Sequence, residues 1–130
     1  MIGYDSIKSF IQGTLGCGCP EEVFRDIDCR LRAQLRNEAV VDCALVVGNR
    51  LLVYVVYGNG GALDEKGLAL YVAEGKKERD ETGLNRFRLV IAEERPAVRQ
   101  RLQKAFEALD IADDRIHLHM ISRKQNIFTG

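Results

Sequence analysis

Leu51-Leu52-Val53-Tyr54-Val55-Val56-Tyr57 is an unbroken apolar run with Gly48-Asn49 before it and Gly58-Asn59-Gly60-Gly61 after it. Seven residues is strand length rather than helix length, and its valines and tyrosines favour a pleated backbone. Neither face of such a strand has a polar side to give to water, so it must lie in the centre of a covered sheet. Val40 to Val47 is a second apolar run, and Gly48-Asn49 between the two supplies turn chemistry, so the pair reads as a hairpin.

The remaining elements follow from periodicity and punctuation. Ile7, Phe10, Ile11 and Leu15 share one face of a first helix, capped by Asp5 or Ser6 and closed by Gly16. Pro20 suits the first position of a second helix, with Glu21 and Glu22 on the favourable end of its dipole and Val23, Phe24 and Ile27 buried. Residues 28–36 admit two readings. Cys29, Leu31, Ala33 and Leu35 alternate with polar residues as in a strand, while Phe24, Ile27, Leu31 and Leu35 form a helical stripe. A short helix followed by a strand accommodates both. A helix over Leu63–Glu81 ends at Gly83, a strand covers Phe87–Ala92, and Pro96 opens a helix carrying Val98, Leu102, Ala105, Phe106 and Leu109. Ile116–Ile121 is the last strand, and 122–130 reads as a polar tail.

The order ααβββαβαβ predicts an α/β fold: a mixed sheet of about five strands, made from a hairpin and two strand–helix–strand crossovers, with two N-terminal helices. The 130 residues make a single domain, 1–130, able to bury a core without disulfides or metal. Phe24, Val46, Val53, Val55, Leu89, Ile91, Leu102 and Phe106 are the expected core.

Charge and targeting narrow the function classes. Lysine plus arginine numbers 19, and aspartate plus glutamate also 19. That balance argues against recruitment by nucleic acid or an anionic membrane and mildly favours self-association. Two predicted strands, Cys29–Leu35 and Ile116–Ile121, suit sheet edges, so a weak homodimer is expected. The N-terminus carries Asp5, Lys8 and Gln12 instead of a signal peptide's apolar run, and no stretch is long enough to span a bilayer. A cytoplasmic location with reduced cysteines follows.

Four groups carry possible chemistry. Cys17-Gly18-Cys19-Pro20 stands at a helix start, where the dipole lowers a thiol pKa and two thiolates can act in redox chemistry or grip a metal. Glu21 and Glu22 oppose that lowering, and the alternative is a capping Cys19 with Cys17 packed as a small hydrophobe. Cys29 and Cys43 occupy apolar strand positions and read as structural. His117 and His119 fall on one face of the last strand; with or without Cys17 and Cys19 they are donors suited to zinc, iron or copper. The plainer alternative pairs them with Asp113 and Asp114 or with solvent. Gly58, Gly60 and Gly61 stand between a strand and a helix, a position that cradles phosphate, but the dinucleotide and Walker motifs are incomplete. Lys76 to Glu81 reads as a solvated face, and Arg86, Arg88 and Arg95 to Lys104 as a local basic patch.

The helix–three strands–helix–strand order resembles the core of restriction-endonuclease-like proteins. That resemblance implies a divalent-metal site made by acidic residues and a Glu-x-Lys pair on the hairpin. Asp42 opens the hairpin here, but Leu-Val-Tyr-Val-Val in its second strand has neither carboxylate nor lysine, so no active nuclease is expected. The resulting expectation is a non-catalytic binding or assembly module. The alternative is a thiol-based redox or metal-binding protein using Cys17 and Cys19.

Overall fold

The computed structural model describes residues 3–16, 21–35, 40–57, 63–110 and 113–128. Five strands form one mixed sheet in the order β1-β2-β3-β4-β5: β1 Ile27–Gln34, β2 Val40–Val47, β3 Leu51–Tyr57, β4 Arg86–Ala92 and β5 Ile116–Ile121. β1, β2 and β3 are antiparallel neighbours, whereas β3, β4 and β5 run parallel. The parallel pairs are joined through α2 (Glu65–Thr82) and α3 (Pro96–Glu107).

β3 is central, as its two apolar faces require, and alternate residues feed two separate cores. Val53 and Val55 pack below the sheet with Ile7, Phe10, Ile11, Leu15 and Phe24. Leu52, Tyr54 and Val56 pack above it with Leu68 and Val72 of α2 and Leu102 of α3. The parity changes in β2, where Val41 belongs to the upper core and Cys43 to the lower. Beside that change Arg32 of β1 adopts φ 51°, an uncommon conformation for a residue with a Cβ, and it ends the straight part of the edge strand.

Local signals set most boundaries. Asp64 accepts a hydrogen bond from the Gly67 amide and starts α2; Gly83 at φ 73° ends it. Pro96 stands in the first turn of α3.

Several expectations are corrected. The first helix begins after Gly3 with no side-chain cap, and α1 (Tyr4–Ser9) passes into a π-helical turn, Phe10–Thr14, that still buries Ile7, Phe10, Ile11 and Leu15. The second helix is only a 3-10 turn, Glu21–Arg25. Residues 27–34 are a strand throughout: every residue from Ile27 to Gln34 except Arg32 pairs in register with β2, so tertiary pairing and not the local pattern selects the strand. Phe106 and Val46 are half-buried rather than core, and Leu102 is the buried anchor of α3. The stretch from Ser122 is not a solvated tail: Ser122 and Gln125 form a capping box, Asn126 is buried, and Phe128 packs edge-on against Phe10 with ring centroids 5.1 Å apart.

Candidate functional site: the cleft between β1 and α2

A cleft of about 470 Å³ opens between β1 and α2. β1 is an edge strand, so above the sheet it has a neighbour on one side only, and α2 lies over β4 and β3 instead of covering it. Asp28, Arg30 and Gln34 line one wall; Glu74, Lys77, Glu78 and Glu81 line the other. Four carboxylates against two cations give the cleft an acidic balance.

Tyr54, almost fully buried in β3, forms the floor. Its phenol donates to Glu78 Oε1 at 2.6 Å, and Arg30 Nη2 donates to Glu78 Oε2 at 2.8 Å. Glu78 thereby ties the central strand, the helix and the edge strand together. Burial, and then the hydrogen bond to Glu78, push the Tyr54 phenol well above its ordinary value. A phenol held so firmly protonated stays a hydrogen-bond donor to Glu78 near neutral pH. The sequence signal for this network is the hydroxyl on a strand buried on both faces, since a buried phenol needs a partner. Which residue provides it is set by how α2 lies on the sheet.

The hairpin does not supply a nuclease's donor set. Asp42 Oδ2 accepts from Asn126 Nδ2 at 3.0 Å, and the facing strand offers the buried apolar Val55 and Val56. These residues do not fit a divalent cation. Among the described residues no group of three or more histidines, cysteines, aspartates or glutamates is placed to hold a metal ion.

Cys17 and Cys19, and the glycines Gly58, Gly60 and Gly61, lie outside the described residues. Cys29 and Cys43 sit on β1 and β2 with their sulfurs 3.3 Å apart. Burial, followed by the hydrogen bond to Cys29, raises the Cys43 thiol, which fits a structural role.

His117 and His119 share the lower face of β5, beside Arg88 and Val90 in register. Burial, and then Arg88, lower both imidazoles, while a backbone hydrogen bond with Thr14 acts the other way on His119. Arg88 donates through Nη1 to the Leu15 carbonyl at 2.9 Å; its buried Nε meets no hydrogen-bond partner among the described residues. Asp114 and Asp113 act on His117 as the weaker, opposing charges, and Asp113 has a closer partner. It binds Arg79, which is 2% exposed and not part of a solvated face, at 2.7 Å.

The predicted basic patch is also divided by tertiary contacts. Arg95 Nη2 lies 2.5 Å from Glu93 Oε1, and Arg99 donates to the Glu93 carbonyl. Arg123 stacks 4.8 Å from the Tyr57 ring centre. These contacts hold Arg95, Arg99 and Arg123 at the carboxyl ends of β3 to β5, while Arg101 pairs with Glu65 of α2.

No helix among the described residues is long and apolar enough to cross a membrane. Comparison of the chain with protein families, with curated proteins and with solved structures found no match.

Proposed function

We propose that this chain is a non-catalytic binding or assembly module, cytoplasmic, that associates with itself through the edge of its sheet. One observation supports the reading above the others: β1 ends the sheet, and Leu31 on that strand is 48% exposed. An edge strand offers unpaired backbone N–H and C=O groups, and adding a strand there is a common route to protein association. The acidic cleft beside it adds polar contacts, and zero net charge leaves no long-range repulsion between copies. The test is sedimentation velocity from low to high micromolar protein. Concentration-dependent dimer is expected, and a clean monomer throughout would overturn self-association. Incubation with duplex DNA and magnesium tests the other half, and reproducible cleavage would refute a non-catalytic role.

A second reading keeps a thiol or metal site on Cys17 and Cys19 with His117 and His119, using zinc, iron or copper. What favours it is the bond between His119 and the Thr14 backbone, which holds β5 beside the segment leading to Cys17. Fast alkylation of Cys17 or Cys19 near neutral pH, or stoichiometric metal in protein purified without added metal, is expected on this reading. Slow alkylation and no metal would end it.

A further inference from the structure

We infer that the occupant of the β1 edge is a second copy of this chain, paired antiparallel about Cys29; the inference rests on the assembly reading and specifies its geometry. The backbone limits the choice first. Asp26 turns its carbonyl toward β2, accepting from Gly48 N at 2.7 Å, and β1 keeps one continuous register with β2 from Ile27 to Leu31. Inward and outward backbone groups alternate along an antiparallel strand. Asp28 and Arg30 therefore bond toward β2, while Ile27, Cys29 and Leu31 present N–H and C=O to the outside. Arg32, at φ 51°, closes this straight segment, and Cys29 is its midpoint.

Side chains then select the register. Outward-facing residues must pair with outward-facing residues, and only the pairings centred on Asp28, Cys29 or Arg30 also align three or more residues of Ile27–Leu31 with the same segment of the other copy. Centring on Asp28 sets that carboxylate against its own copy, and centring on Arg30 does the same with two guanidinium groups. Like charges directly opposite are unfavourable. Centring on Cys29 places Asp28 opposite Arg30 of the other copy, twice, and Ile27 opposite Leu31, twice. The segment Ile27-Asp28-Cys29-Arg30-Leu31 is thus self-complementary in charge and in polarity, as a two-fold interface requires. The exposed Leu31 gains an apolar cover on the lower face. On the upper face Arg30, already bonded to Glu78, retains donors for a second carboxylate. Two five-stranded sheets become one.

Two charge-reversal variants test the pairing by sedimentation velocity. Asp28→Arg makes the edge basic and Arg30→Asp makes it acidic, so each alone meets like charge across the axis. Both sites are exposed, and circular dichroism checks that each variant is folded. Each should dimerise roughly ten- to a hundredfold more weakly than the wild type, since two favourable cross-strand pairs become two repulsive ones. An equimolar mixture of the two should dimerise near the wild-type level, because every facing pair is again opposite in sign. If folded variants dimerise as tightly as the wild type, or if the mixture stays monomeric, the Cys29 register is wrong while self-assembly stands. A wild type that is monomeric throughout removes the assembly reading itself.

Discussion

Gly75 of α2 lies directly against the ring of Phe87 in β4, so close that a Cβ at residue 75 would overlap it. A glycine inside a helix ordinarily weakens it by about 1 kcal/mol relative to alanine. Here the missing side chain is what lets α2 approach the sheet, and Phe87 is fully buried with no room to retreat. Gly75→Ala should therefore reverse the usual sign and destabilise the fold by about 1–3 kcal/mol, measured by urea unfolding. A gain in stability would show that α2 is not seated on Phe87.

Leu102 and Phe106 should rank opposite to their size. Leu102 is 0% exposed, whereas Phe106 is only partly buried. Leu102→Ala is expected to cost about 3 kcal/mol or more through the cavity it leaves, and Phe106→Ala less than that. Equal or inverted losses would mean that α3 packs through a different face.

Tyr54 links stability to alkaline pH. Its phenol is raised in the folded chain, so the stabilising contribution is fully present below the ordinary tyrosine pKa of about 10. It falls as pH rises above that value, because the unfolded chain gives up a proton that the folded chain keeps. Tyr54→Phe should cost about 1–2 kcal/mol at pH 8 by loss of the bond to Glu78, and should show a smaller decline above pH 10. Identical pH profiles for the two proteins would exclude this account.

Asp113 works at the acid end. Paired with the buried Arg79, it is held well below the usual carboxylate range, chiefly by the hydrogen bonds from that guanidinium. Its contribution is present above the unfolded aspartate value of about 4 and is lost as pH falls below it. Asp113→Asn should lower stability at pH 7 by about 2–3 kcal/mol, with Asp80 limiting the loss by keeping its own bonds to Arg79. The variant should also show a shallower decline below pH 4 in guanidinium or thermal unfolding. No difference from the wild type at either pH would show that the pair is not formed in solution.

The sequence by itself determined the hairpin, the central β3, the end of α2 at Gly83, and the start of α3 at Pro96. Each of these is decided by a few adjacent residues: an apolar run, a turn dipeptide, a glycine free to be left-handed, a proline with a preset φ. Residues 27–34 were undecidable locally, because their apolar positions satisfy both a helical stripe and an alternating strand, and only the ladder with β2 separates the two. The same holds for the buried polar and aromatic pairs. Tyr54 and Glu78 are 24 residues apart, and Asp42 and Asn126 are 84 apart. Burial of Arg79 requires Asp113, and burial of Phe128 requires Phe10. A polar or aromatic side chain near the end of a chain has no local reason to be inside. The tertiary structure alone decided it, since a buried charge or ring is stable only where packing delivers its partner.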